Sequence, residues 1–224
     1  MIVVHHLEDS RSQRLLWLLE ELGLPYEVRR YARDPKTRLA PPELRAIHPL
    51  GKSPVLTDGD LVLAETGAIV EYLVETYDHD GRLAPRPGTP ERLRWRYWLH
   101  YAEGSAMPPL LLSLVFAMLP RQAPALARGL VGAVSKAAIA GFVGPQLETH
   151  LDYWEAELAT TGWFAGAAFS AADVMMSFPL EAADQRAGAS VRPQAAAFLA
   201  RIHARPAYRV ALERGGPYAY ASSS

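Results

Sequence analysis

Three short stretches of this sequence carry residue types that could do chemistry: Ser10 with Ser12, Ser53-Pro54, and Glu65-Thr66. Ser10 and Ser12 stand just before an apolar pattern at helical spacing (Leu15, Leu18, Leu19, Leu22). Their plain role is an N-cap, and Ser10-Arg11-Ser12-Gln13 fits an S-x-x-Q capping box. The same geometry allows more. A helix N-terminus offers free N–H groups and a positive partial charge, and a hydroxyl there can donate to a sulfur anion and lower a thiol's pKa. No G-x-S-x-G or other hydrolase spacing accompanies either serine, which speaks against a serine nucleophile. Ser53-Pro54 opens an apolar run; proline in a sheet is confined to edges, first positions or special turns. A trans, strand-starting proline is the plain reading. A cis one would expose the backbone of Ser53 for strand-like pairing with a peptide. Glu65-Thr66 follows a strand-like run and opens a helical one. Thr66 reads either as a simple cap or, with the helix N–H groups, as a seat for a carboxylate, with Glu65 taking an ammonium.

The elements that must position these residues follow from the pattern around them. Ile2–Leu7 is barely alternating, as a strand buried on both faces should be. A helix closed by Gly23 at its C′ position follows, then an alternating run at Tyr26–Tyr31. Together they form a βαβ unit with a right-handed crossover. A short helix is expected near Glu43–Ile47. Asp58-Gly59 between two apolar runs predicts a hairpin, and Thr66–Tyr77 predicts a helix with Ile69, Val70, Leu73 and Val74 as its stripe. The order is β-α-β-α-β-β-α with a mixed sheet: an α/β, thioredoxin-like half. The Pro/Gly/charge-rich DHDGRLAPRPGTP then reads as a linker. Beyond it the periodicity is helical: a long pattern at Glu91–Leu119 bent at Met107-Pro108-Pro109, another at Gln122–Thr160 broken near Gly141 and Gly144-Pro145, a helix capped by Ser170 and Asp173 and running towards Gly188, and two short ones near Pro193–His203 and Ala207–Glu213. The expected organisation is residues 1–80, a linker at 81–90, and an all-α part at 91–224.

Composition narrows the function. The 224 residues hold 23 Lys+Arg against 24 Asp+Glu and no cysteine. No basic field exists for nucleic acid or an anionic membrane. Disulfides, Cys-ligated zinc, CxxC redox chemistry and a cysteine nucleophile are excluded together. No metal cluster stands out. No stretch reads as a signal peptide, and Leu110–Leu119 is too short to span a bilayer and reads as a buried helix. A soluble cytoplasmic protein is expected.

Taken together, the three features fit a peptide with a thiol in its middle and an amino-acid end. The stretches HHLEDSRSQRLLWLLEELGLPYE, HPLGKSPVLTDGDLVLAETGAI and FSAADV, in that order and followed by an all-α part, resemble a serine-type cytosolic glutathione S-transferase over nearly the whole chain. The resemblance implies conjugation of the glutathione thiolate to a hydrophobic electrophile, with glutathione as co-substrate and no permanent cofactor. It places the thiol-activating hydroxyl on Ser10, with Ser12 as the fallback and Arg14 four residues on. It puts the glutathione contacts on Lys52, Ser53, Pro54, Glu65 and Thr66, and gives Ser170 and Asp173 a structural role. A basic residue that some relatives carry before the Asn-Pro equivalent of His48-Pro49 falls on Leu39, where Arg38 or Lys36 could substitute. The electrophile wall is expected on the long helix, with Tyr101 and Ser105 as candidates, and a homodimer is implied. A glutathione-dependent peroxidase or reductase, and a non-catalytic glutathione-binding module, are the competing readings.

Overall fold

The computed structural model describes residues 1–221, Ser190 by its backbone only. Its first half is a four-stranded sheet of β1 (Ile2–Leu7), β2 (Tyr26–Tyr31), β3 (Val55–Asp58) and β4 (Leu61–Ala64), in the order β2-β1-β3-β4. β1 and β2 are parallel, in register from Ile2↔Tyr26 to Leu7↔Tyr31; β3 runs antiparallel to both β1 and β4. α1 (Gln13–Leu22), α2 (Glu43–Ile47) and α3 (Thr66–Tyr77) complete the expected β-α-β-α-β-β-α order. Gly23 closes α1 in the left-handed conformation, with φ 67°. The hairpin differs by one residue from expectation. Asp58 pairs with Leu61 and ends β3, so the two-residue loop is Gly59-Asp60. The Asp58 carboxylate is held instead by the Tyr72 and Tyr77 hydroxyls.

The segment after α3 carries no regular element but is pinned. Asp78 accepts from the Leu83 N–H, and the carbonyl of buried Leu83 accepts from Trp95 Nε1 (3.0 Å) and the Ala171 N–H (2.8 Å). The second half is helical: α4 (Pro90–Tyr101), α5 (Met107–Gln122), α6 (Arg128–Ala138), α7 (Gly144–Thr161), α8 (Ala171–Ala187), α9 (Pro193–His203) and α10 (Pro206–Gly215). The region where a bend is expected, Met107-Pro108-Pro109, continues as helix, and the break expected near Gly141 and Gly144-Pro145 is not a break. A π-helical turn precedes each, at Ala102–Ala106 and Ile139–Val143, and the helical path continues. A proline lacks the N–H of an i→i−4 bond, and the wider i→i+5 turn accommodates that loss without ending the helix.

α8 runs through the centre of this half and is buried from Ala171 to Ala183. Ser170 caps it, and the fully buried Asp173 carboxylate accepts from the Ser170 and Phe164 N–H groups, both at 2.8 Å. Burial pushes Asp173 up to about 7 against those bonds. Pro179 lies inside α8 and leaves the Met175 carbonyl without its intrahelical donor. Arg14, buried on α1, supplies the missing donor through Nη1 at 2.7 Å, and its Nη2 pairs with Glu103 in the first π turn. The buried residues of both halves form one continuous hydrophobic cluster, from Ile2 to Ala211.

The apolar run at Leu110–Leu119 is not the buried helix expected of it. Only Leu110 and Ser113 are buried there, while Leu111 is 50% and Val115 41% exposed. The helical runs 90–122 and 125–161 are each long and apolar enough to cross a membrane by length and composition.

Candidate active site

A cavity of about 640 Å³ opens where the C-terminal end of β1 and the loop before α1 face α5 and α8. Ser10, Lys52 and Ser53 all line it. Ser10 sits in the turn that leads into α1, after Asp9, whose φ of 47° is left-handed. The expected capping box does not form. α1 starts at Gln13 with Ser12 as its cap residue and no side-chain cap bond. Ser10 Oγ instead accepts from the Ser12 N–H at 3.2 Å and lies 2.7 Å from Ser12 Oγ. Gln13 turns inward, and its amide packs against Gly215, where a Cβ would meet Oε1 at 2.4 Å. Glycine at 215 is what lets α10 approach α1 so closely.

Behind Ser10 runs a buried polar chain. Ser12, fully buried, lies 2.8 Å from His6 Nδ1. Burial, helped by the Arg30 charge, lowers His6 to about 4, so the ring is neutral near pH 7; the Gly215 backbone bonds it too and opposes that shift. Ser12 Oγ thus lies within bonding distance of both Ser10 Oγ and His6 Nδ1, and it also reaches the Leu7 carbonyl at 3.4 Å. The Ser10 hydroxyl is thus held at the cavity surface while Ser12 is committed inward. Of the two serines, Ser10 lines the cavity and Ser12 does not.

Ser53 precedes Pro54 through a cis peptide bond, so the plain trans reading gives way to its alternative. Ser53 Oγ donates to the His5 carbonyl (2.9 Å) and accepts from the Leu7 N–H (3.2 Å), which ties this loop to the end of β1. Pro54 is buried behind it, and Lys52 is exposed at the rim. Arg38 and Leu39 also line the cavity, Lys36 does not; Arg38 pairs with Glu8 and Asp9.

Glu65 and Thr66 lie apart from this group. Glu65 is exposed, takes a left-handed φ of 71°, and lines a second cavity of about 470 Å³ with Gly67, His100 and Glu103. It, rather than Thr66, is the cap residue of α3; Thr66 is the first helical residue and is buried. A non-glycine residue held at positive φ is a costly conformation of the kind found at ligand clamps. Glu103 connects the two cavities, since it lines the smaller one and its carboxylate pairs with Arg11, which lines the larger.

The expected wall residues are elsewhere. Tyr101 points into the helical core, bonded to His150 and, as acceptor, to Trp154 Nε1 at 3.1 Å. Ser105 is exposed and lines neither cavity. The apolar wall consists of Met107, Leu111, Leu114, Val115 and Met118 on α5, with Phe178 of α8 and Tyr220 beyond α10. Sequence reasoning also missed Arg11, Arg33 and Arg186 in the lining. The i, i+4, i+7, i+8, i+11 spacing on α5 was a signal that could have found the wall.

The comparisons with known proteins bear on all of this at once. The signature described as glutathione S-transferase, N-terminal domain, matches residues 1–75, and the C-terminal one matches residues 136–218. Glutathione S-transferase 3 of Schizosaccharomyces pombe is 35% identical over 216 residues, covering 96% of this chain and 88% of its own. The chain belongs to the glutathione S-transferase family. A crystal structure of a glutathione S-transferase from Actinobacillus pleuropneumoniae is 33% identical, with a TM-score of 0.78 over 100% of this chain and 97% of that one. A sphingomonad glutathione S-transferase complexed with glutathione follows at 25% identity and TM-score 0.75, covering 96% and 98%. This transferase is therefore an enzyme of that activity, with glutathione as the family's substrate.

Proposed function

We propose that this transferase adds the glutathione thiolate to hydrophobic electrophiles, with Ser10 as the thiol-activating hydroxyl. The observation that carries the reading is the Ser10–Ser12–His6 chain opening onto a cavity with an apolar wall. A bound sulfur near Ser10 accepts a hydrogen bond from the Ser10 hydroxyl. Ser12 stays held by His6 and does not compete for the sulfur, while its N–H still supports Ser10 Oγ. Lowering a thiol from its usual value of about 8.5 by two pH units requires roughly 3 kcal/mol, within reach of one charge-assisted hydroxyl bond and a helix N-terminus. No covalent enzyme intermediate is formed; catalysis rests on the thiolate's population and on positioning.

In this reading the backbone at Ser53, in front of Pro54, holds the cysteinyl part of glutathione. Lys52 or Arg38 takes the glycyl carboxylate. Glu65 takes the γ-glutamyl ammonium, and the start of α3 at Thr66 takes the adjoining carboxylate. The electrophile packs on the α5 wall. The protein acts as a homodimer through the α4 face that leaves Leu93 70% and Tyr97 45% exposed.

The test is a glutathione titration across pH, read by the ultraviolet absorbance of the thiolate. A bound thiol that ionises well below the free value, and no longer does so in Ser10→Ala, is the expected result. Binding without that shift would turn the reading towards a carrier.

A further inference from the structure

The larger cavity holds more positive charge than glutathione requires. Arg11, Arg33, Arg38, Lys52 and Arg186 line it, against Asp9 as the one acidic lining residue among the described residues. Arg33 is spent on the Glu8, Asp9 and Arg38 carbonyls, and Arg38 leans on Glu8 and Asp9. Arg11 and Arg186 are placed differently, on the electrophile side. Arg186 donates to the Leu110 carbonyl of α5 (3.3 Å) and to the Tyr220 hydroxyl (2.5 Å), both neutral acceptors. Among the described residues it makes no ion pair. Arg11 lies over the Phe178 ring at 5.7 Å and Arg186 over Tyr220 at 5.3 Å, and the two rings are 5.0 Å apart. Arg14 lies over Phe178 too, at 5.5 Å, but is held by the Met175 carbonyl and Glu103; of the three guanidinium groups at this aromatic pair, Arg11 and Arg186 line the cavity.

We propose that Arg11 and Arg186 form an anion-reading subsite, and that the preferred electrophiles carry a carboxylate on an apolar, ring-sized body. The inference rests on the proposed transferase reading and specifies its second substrate. The α5 wall and the Phe178–Tyr220 pair receive the apolar body. The two guanidinium groups, which take planar anions in fork geometry, receive the acid. The empty enzyme gains from such a ligand. Burial and the charges of Arg14 and Arg186 hold Arg11 below its usual range, with Glu103 the opposing carboxylate already shared with Arg14. An anion between Arg11 and Arg186 relieves that repulsion in a site partly closed to water, where charge interactions are strong.

The experiment compares two benzyl halides of similar size, 4-(chloromethyl)benzoate and 4-nitrobenzyl chloride, with the full chain and saturating glutathione. Each kcat/KM is divided by the uncatalysed rate with glutathione. The carboxylate is expected to be favoured by about tenfold or more, and Arg186→Gln to erase the preference while Arg186→Lys keeps part of it. Equal treatment of the two by the wild type overturns the proposal, as does a preference that survives in Arg186→Gln. A glutathione Kd raised in that variant, with both electrophiles affected alike, assigns Arg186 to glutathione's own glycyl carboxylate and also overturns it. The thiolate titration is read in parallel, so failure of the transferase reading shows as a missing thiolate rather than a missing preference. Should Arg186→Gln not fold, competitive inhibition of the wild type by 2-naphthoate and 2-naphthamide decides. The acid is expected to bind about tenfold tighter, and equal inhibition overturns the subsite.

Discussion

The two walls of the main cavity are built on opposite principles. On the sheet side, Ser10, Ser12, His6 and Ser53 are each fixed by specific hydrogen bonds, and the first three are nearly or fully buried. On the helical side, α5 offers an apolar stripe that is anchored in the core at Met107 but open further along: Leu111 is 50% exposed and Val115 41%. The first wall dictates where one sulfur atom goes. The second accepts any body of roughly the right polarity, because apolar burial is non-directional. A rigid, over-determined wall facing a generic one is how a single activation step can serve several electrophiles.

The largest way to break this division is to cut the seam between the walls. Glu103→Ala leaves Arg14, only 1% exposed, without its carboxylate. A loss of about 3–5 kcal/mol in unfolding free energy by chemical denaturation is expected. Ser10→Ala comes next: turnover should fall by about 100-fold, with the melting temperature and glutathione binding little changed. A Ser10→Ala enzyme that keeps its turnover, beside an inactive Ser12→Ala, would move the activating role one step along the chain.

His6 sharpens the comparison through pH. Its folded-state value near 4 lies below the ordinary 6.5, so the unfolded chain takes up the proton first as pH falls. The stability that a neutral His6 contributes is complete above pH 6.5 and declines towards pH 4, by about 3 kcal/mol in all. Denaturation curves of His6→Asn should lack that part of the slope. Asn keeps an acceptor for Ser12, so turnover in His6→Asn should exceed that in His6→Leu by about tenfold. The smallest effect belongs to the generic wall. Leu111→Ser should raise KM for an apolar electrophile only a few-fold and leave glutathione affinity alone.

How much of this could be read from residues alone varies with the reach of each signal. Local signals held: Gly23 closes α1, and Ser170 with Asp173 caps α8, because each needs only its neighbours. The Ser10–Gln13 box looks equally local but does not form, since Ser12 takes the Ser10 hydroxyl, His6 in turn holds Ser12, and α10 presses on Gln13. Tyr101 and Ser105 failed for a geometric reason. A π turn at Ala102–Ala106 carries extra residues and rotates everything after it relative to α4. The face that holds Tyr101 therefore does not continue onto α5, whose own stripe from Met107 to Met118 forms the wall. Arg186 was invisible because its neighbours come from α5 and from residue 220, distant in sequence.

Pro179 shows how such distant ties constrain a lineage of sequences. Replacing it by a better helix former would restore an N–H inside α8, and that group would compete with Arg14 for the Met175 carbonyl. The arginine would then be left buried with one acceptor fewer. Arg14 and Pro179 are thus expected to be inherited as a pair: sequences that lose one should lose the other, although no ordinary measure of helix propensity would group them.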